Sequence, residues 1–384
     1  MSWQSEPLSE LTLKIGSGST PRGGDSVYIS EGTTLIRSQN VYNNEFSTDG
    51  LVYIDEKTAE KMKGVSVEKE DVLVNITGDS VARCCLVHDA VLPARVNQHV
   101  AILRTNPKKL LPHFLAFYMV SPFMQAKMLS WAGTGGTRKA LTKGMLEGFE
   151  IPLPPVDVQD KIVQKIRTYN DLIENNRRRI QLLEKSARLL YQEWFVYLRF
   201  PGHEQVKIID GVPEGWTKEP LENLLVLQRG FDLPISNRIE GNVPIYASTG
   251  INGFHNVVKV KGPGVVTGRS GSLGTVMYVA KDYWPLNTTL WVKEFKKATP
   301  IFATYLLRAM KLDGHNGGAA VPTLNRNDVH KVDVLCPESK LMNVFEIQVE
   351  NIFKQIEKLK EYNEKLTQAR DLLLPKLMSG ELTV

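Results

Sequence analysis

Cysteine is scarce in this 384-residue chain, with only the adjacent Cys84 and Cys85 and the distant Cys336. Three thiols so placed build neither a disulfide framework nor a CxxC metal pair, so buried free thiols are expected. Histidine is sparse too, and its seven residues form no ligand-like pair. No run approaches the roughly 18 apolar residues of a membrane span. The opening MSWQSEPLSEL lacks the basic-then-apolar order of a secretory signal, so a soluble cytoplasmic protein is expected. Charge is nearly balanced at +5, which by itself argues only weakly for a polyanionic partner. Catalytic signatures are also missing: no Gly-rich loop ending in Gly-Lys-Ser/Thr, no GxGxxG, no Asn-Pro-Pro-Tyr and no HExxH. The Gly133–Lys139 stretch lacks P-loop spacing. Asp282 with Glu294-x-Lys296 resembles a nuclease metal cluster only at a spacing that chance often produces. The expectation is a chain with no catalytic or metal residues of its own.

What is present is a unit written twice. Trp3, Glu6, Pro7, Leu8 and Leu11 recur 213 residues on as Trp216, Glu219, Pro220, Leu221 and Leu224. Thr77-Gly78-x-Ser80 and Asn97 recur 190 residues on as Thr267-Gly268-x-Ser270 and Asn287, so the first copy carries about 23 extra residues before this point. Lys108-Lys109-x-x-Pro112-x-Phe114 recurs as Lys296-Lys297-x-x-Pro300-x-Phe302, and Leu141 pairs with Leu324. Four blocks in one order establish a duplication. Turn formers from Phe200 to Gly215 separate the copies. Short β-rich runs at Val72–Ile76, Val100–Arg104, Val243–Tyr246 and Thr289–Val292 predict a mixed α/β domain in each copy. One helix is predicted from Pro112 through HFLAFYMVSPFMQAKMLSWA, with a counterpart from Pro300.

Each copy ends in a coiled-coil seam. Ile162, Ile166, Tyr169, Ile173, Asn176, Ile180, Leu183, Ala187, Leu190 and Trp194 alternate in steps of four and three. Phe345, Val349, Ile352, Ile356, Leu359, Asn363, Leu366, Arg370, Leu373 and Leu377 repeat the pattern. At about 1.5 Å per residue each seam runs roughly 48 Å, too long for its own domain to cover, so each needs the other. A core Asn prefers to face an Asn. Setting Asn176 against Asn363 forces an antiparallel pair that places Ile162 on Leu377, Tyr169 on Arg370, Leu183 on Ile356 and Trp194 on Phe345. Pro375 threatens to end the second helix before its last layer.

The expected fold is therefore α+β. Two mixed α/β domains, 1–153 and 216–335, are joined by two long helices, 154–199 and 336–384, in an intramolecular antiparallel coiled coil with a pseudo-twofold relation; 200–215 is a linker. Domains held roughly 35–50 Å apart match two DNA segments about 10–15 base pairs apart, and unlike copies imply unlike half-sites.

Loops rich in Gly, Ser, Thr, Asn and Arg supply the candidate contacts, since Arg reads guanine, Asn and Gln read adenine, and hydroxyls hold phosphates. In the first copy these are Ser19, Thr20, Arg22, Arg37, Gln39, Asn40, Thr77, Arg95, Asn97, Gln98, Thr137, Arg138 and Lys139. In the second they are Arg229, Phe231, Thr267, Arg269, Ser270, Asn287, Thr288, Asn325 and Arg326. Arg177-Arg178-Arg179 is read as a solvated helix face. Three readings stay open on residues alone: a sequence-specific DNA-binding module, a freestanding nuclease, and a coiled-coil adaptor that binds no DNA.

The arrangement resembles the specificity subunits of type I restriction-modification systems over essentially the whole chain. Gly211-Val-Pro-Glu-Gly215-Trp216 precedes the second domain, Pro152-Leu-Pro-Pro155 leads into the first helix, and Leu372-Leu-Leu-Pro375-Lys-Leu-Met-Ser379-Gly380-Glu-Leu382 lies at the end. The resemblance implies a chain without an active site that reads a bipartite asymmetric target in double-stranded DNA. It also implies docking with two methyltransferase subunits and with restriction subunits, in a bacterial or archaeal cytoplasm. S-adenosylmethionine, ATP and Mg would belong to those partners, and this chain would bind no cofactor. One departure is that Trp3 lacks the Gly-Pro-Gly lead of Trp216; the segment from Ser379 to Val384 is expected to complete that end.

Overall fold

The computed structural model describes residues 3–133, 139–314 and 323–382. The chain divides into two compact units, one of Met1–Asn176 with Glu361–Val384 and one of Arg177–Lys360. Both cuts fall within the long helices.

In the first unit the central sheet orders its strands Thr12–Ser17, Val100–Thr105, Val72–Asn75 and Cys84–Leu86, all antiparallel. The strand Val72–Asn75 is buried along its whole length, which explains an unbroken Val-Leu-Val run in place of alternation. Val72 and Val74 pack with Phe114, Leu115 and Ile162. Leu73 faces the other way, onto Val96, Val100 and Ile102. The sheet is thus sandwiched between helices and a second sheet of Val52–Ile54, Thr33–Ile36, Ala94–Val96 and Ser66–Val67.

The second unit repeats this wiring. Its central sheet runs Leu225–Arg229, Thr289–Phe295, Gly264–Gly268 and Val276–Val279, again antiparallel. The parallel pairing of Ala94–Val96 with Thr33–Ile36 returns as Trp284–Pro285 with Val243–Ala247. Ser5–Pro7 on Glu150–Pro152 returns as Thr217–Pro220 on Asp333–Cys336. The first unit's surplus is the helix Glu56–Lys61 and the strand Ser66–Val67. Arg104 clamps this insertion to the sheet. It donates to both carboxylate oxygens of the buried Asp71 at 2.8 Å and to the Ser66 carbonyl at 3.2 Å.

The long helices span Val156–Tyr191, continued by a π-helical turn at Gln192–Val196, and Ser339–Ser379. In the first unit Asn176 Nδ2 donates to Asn363 Oδ1 at 2.9 Å, and Ile162 and Ile166 share a core with Leu374 and Leu377. In the second unit the Trp194 and Phe345 rings lie 6.0 Å apart. Within each unit the helices are packed together in the antiparallel register expected from Asn176 and Asn363. Arg370 avoids a bare apolar layer by donating to Asn170 Oδ1 at 2.9 Å.

Two expectations are corrected. Pro375 does not end the second helix, which continues to Ser379. A helical proline costs about 3 kcal/mol, but burial of Leu374, Leu377 and Met378, none more than 4% exposed, recovers more at about 1.5–3 kcal/mol each. The helix predicted from Pro112 is two, Pro112–Met119 and Pro122–Ala132. Pro122 forces Ser121 into extended backbone, and Ser121 then caps the new helix by accepting from Met124 N–H at 3.3 Å.

Each long helix also reaches the start of a domain. Trp216 packs against Phe195 and Phe200 just beyond the first helix, while Trp3 Nε1 donates to the Leu377 carbonyl near the end of the second at 3.5 Å. All three cysteines are buried, and burial pushes the Cys85 thiol up to about 12. Among the described residues no helix is long and apolar enough to cross a membrane.

Candidate nucleic-acid interface

In an antiparallel sheet the end of one strand lies beside the start of its neighbour, so loops distant in sequence meet at one rim. In the first unit, Thr12–Ser17 and Val72–Asn75 end where Val100–Thr105 begins. Ser19 leaves the first strand with its amide on the Val96 carbonyl at 3.1 Å. Thr77 comes after the second, its hydroxyl 2.6 Å from His99 Nδ1. Asn97 and Gln98 precede the third. Lys139 joins this rim by accepting Gly78 N–H on its carbonyl at 3.2 Å. Arg37, Gln39 and Asn40 lie next to it, since Asn75 Nδ2 donates to the Ser38 carbonyl at 2.8 Å and Asn97 N–H to that of Ile36 at 3.0 Å.

These residues divide by how their polar groups are employed. Asn40 is fully buried and spends its amide on the Ser47 and Asp49 carbonyls and on Arg37 N–H. Arg95 donates to the Ala59 and Ala94 carbonyls, and burial lowers its pKa. Asn97 is buried and accepts His99 N–H at 3.1 Å. Arg37 donates to the Gly50 carbonyl at 2.7 Å and lies over the Tyr28 ring. By contrast Ser19, Thr20, Arg22, Gln39, Gln98 and Lys139 are exposed. Thr137 and Arg138 lie outside the described residues.

The second unit builds the same rim. Leu225–Arg229 and Gly264–Gly268 end where Thr289–Phe295 begins. Arg269 and Ser270 both donate backbone N–H to the Thr288 carbonyl, at 2.9 and 3.2 Å, and the Arg269 carbonyl accepts Leu324 N–H at 2.8 Å, which brings Asn325 alongside. Asn325 Oδ1 caps the short helix that opens at Arg326. Thr267 is 1% exposed and faces inward, whereas Arg229, Asn325 and Arg326 are exposed. Arg229, Phe231 and Arg326 line one open groove of about 760 Å³ together with Asp232, Lys293 and His330. His330 Nε2 accepts Leu227 N–H at 2.9 Å, and burial lowers its pKa, in keeping with a neutral, accepting imidazole. Three cations against one carboxylate give the groove a positive balance suited to phosphate.

Both rims depend on a glycine that sequence reading passed over. A Cβ on Gly18 would lie 2.0 Å from the Val96 carbonyl oxygen, and one on Gly230 would lie 2.2 Å from that of Leu286. Each first loop is thereby pressed onto the loop that precedes the third strand. Also missed were His99, Asp232, Lys259 and Lys293. Lys259 sits over the Phe231 and Trp284 rings at 4.6 and 5.4 Å. Asp232 binds Asn287, 55 residues away. No spacing rule reaches such partners; only the duplicated Asn97 and Asn287 marked their neighbourhood. The nuclease-like Asp282 carboxylate is occupied by Lys261 Nζ at 2.9 Å and Gly262 N–H at 3.0 Å.

Comparison with known proteins agrees with this architecture. Residues 3–185 match the family described as type I restriction modification DNA specificity domain. The chain is similar to the MjaIX specificity subunit of Methanocaldococcus jannaschii, 23% identical over 70% of this chain and 68% of that one. It is likewise similar to the HindI specificity subunit of Haemophilus influenzae, 21% identical over 91% and 94%. The fold is shared with the crystal structure of the type I system S subunit from M. genitalium, with a TM-score of 0.62 at 16% identity over 98% and 96% of the two chains. With two β-rich domains of one wiring, joined by two long helices packed together, the chain has the architecture and the relatives of the DNA specificity subunits of type I restriction-modification systems, and residues 3–185 carry the specificity domain of that family.

Proposed function

We propose that this subunit reads a bipartite, asymmetric target in double-stranded DNA. Residues 1–153 serve as the first target-recognition domain and 216–335 as the second, each contacting one half-site through its sheet rim. The observation that carries this is the duplicated rim: the same three strand ends gather candidate contacts in both units, with different side chains in each. Ser19, Thr20, Arg22, Gln39, Gln98 and Lys139 are offered in the first, and Arg229, Phe231, Arg269, Ser270, Asn287, Thr288, Asn325 and Arg326 in the second. Arg37, Asn40, Thr77, Arg95, Asn97 and Thr267 support the rims from within. The helices 154–199 and 336–384 act as a spacer.

The helices also dock two methyltransferase subunits, and the assembly recruits restriction subunits. Support comes from large apolar side chains left exposed on the helices, Leu172, Leu182, Leu189, Tyr362 and Leu372, where a single solvated stripe would be polar. One solved structure of the same fold, with a TM-score of 0.51, is described as showing complex assembly and conformational transition of the type I system. S-adenosylmethionine, ATP and Mg are bound by the partners, and this chain supplies position. Exchange of residues 216–335 for the same stretch of a relative tests the reading. Methylome sequencing of the host should show one half-site replaced and the other retained. Replacement of both, or of neither, would overturn it.

A further inference from the structure

Asn97 and Asn287 are the same residue of the repeat, yet they are used differently. Asn97 is buried and its Oδ1 closes its own loop on His99 N–H at 3.1 Å. Asn287 is half-exposed, and its Nδ2 donates instead to the carboxylate of Asp232. Asp232 stands two residues beyond Gly230. In the first unit the residue two beyond Gly18 is Thr20, so at this position only the second unit carries a carboxylate. It is exposed on the groove that Arg229, Lys293 and Arg326 make positive, and it takes its hydrogen bond from Asn287 rather than from those cations.

A carboxylate on a face meant for DNA opposes phosphate and weakens binding to every sequence. It becomes favourable only opposite a hydrogen-bond donor on a base edge, and in the major groove that donor is an exocyclic amino group, N4 of cytosine or N6 of adenine. The Asn287 contact reinforces this. With Nδ2 donating to Asp232, the amide is oriented and its carbonyl oxygen is left to serve as a second acceptor. The pair therefore presents acceptors, which suit an amino group and reject the acceptor edges of guanine and thymine.

Resting on the recognition reading above, we infer that Asp232, held with Asn287, is a specificity-determining residue that demands an amino-bearing base at one position of the second half-site. The test uses the full chain assembled with its modification subunits and a duplex library randomised across both half-sites, with the bound fraction sequenced. Asp232→Asn, and Asp232→Ala beside it, should erase or shift the preference at one base pair of the second half-site. Contrast there should fall by roughly fivefold or more, the scale of one good base contact. The first half-site should stay unchanged, which also reports that the variants are folded, and mean affinity across the library should rise. An unchanged second half-site, or a uniform fall in affinity with contrast retained, overturns the inference. A wild-type assembly that enriches no sequence overturns the recognition reading itself, a distinct result.

Discussion

Residue by residue, the repeat shows one mechanical task solved with different chemistry. Gln159 on the first long helix is fully buried and accepts Leu111 N–H at 2.8 Å, at the mouth of the helix that starts with Pro112. On the second helix the same task falls to Glu346, one helical turn beyond the position that matches Gln159, which accepts from Ile301 and Phe302 N–H at 3.0 and 3.3 Å at the mouth of the helix that starts with Pro300. Burial raises the Glu346 pKa despite those bonds. A carboxyl whose pKa is raised on folding binds its proton more tightly in the folded state, so stability falls as pH rises from the ordinary glutamate range through the raised value. Glu346→Gln, which copies Gln159, should remove that slope. The variant should match the wild type near pH 4 and exceed it at pH 7 to 8 in thermal unfolding of the second unit. A variant less stable at pH 8 would mean that the charge itself holds the helix mouth. None of this was legible beforehand, because the Pro112 and Pro300 repeat marked the helix starts but not the side chains that cap them.

At the scale of elements, the seam pattern read correctly because coiled-coil packing is periodic and local, and a periodic signal survives in sequence. The Asn176 and Asn363 contact tests it thermodynamically. Asn176 donates to the Asn363 carbonyl oxygen across a half-buried layer, and Asn363 donates in turn to the Ile173 carbonyl at 3.3 Å. Replacing one by Leu strands its partner at a cost of about 1–3 kcal/mol, whereas replacing both leaves a plain apolar layer. Asn176→Leu and Asn363→Leu should each destabilise, and the double variant should recover most of the loss in urea unfolding. Additive losses would deny the coupling. Helix ends were less legible. Pro122 broke a predicted helix and Pro375 did not, because the helix opening at Pro122 gains a serine cap while the residues flanking Pro375 are held by burial. Propensity is the same at both prolines; the surroundings decide.

For the whole molecule, the proposed spacer role makes a length prediction. Adding one heptad to both long helices at matching layers lengthens each by about 10.5 Å. DNA rises about 3.4 Å per base pair along one strand. The methylated target of such a variant should carry a spacer longer by about three base pairs with both half-sites intact. Altered half-sites with an unaltered spacer would reject the ruler. The two recognition domains that the ruler would space come from the duplication, which ordered blocks of identical residues made visible without any structure.

The amino-acid sequence by itself determined the duplication, the two β-rich domains, the two long helices and their antiparallel register. All of these arise from repetition and periodicity, which are properties of order along a chain. Tertiary structure alone decided which of the polar loop residues face outward. Asn40, Arg95, Asn97 and Thr267 have the same composition as their exposed neighbours, yet the rims consume them in internal bonds or burial. It also brought Asp232 to Asn287 and pressed Gly18 and Gly230 onto carbonyl groups, because strand pairing joins residues whose separation in sequence carries no signal.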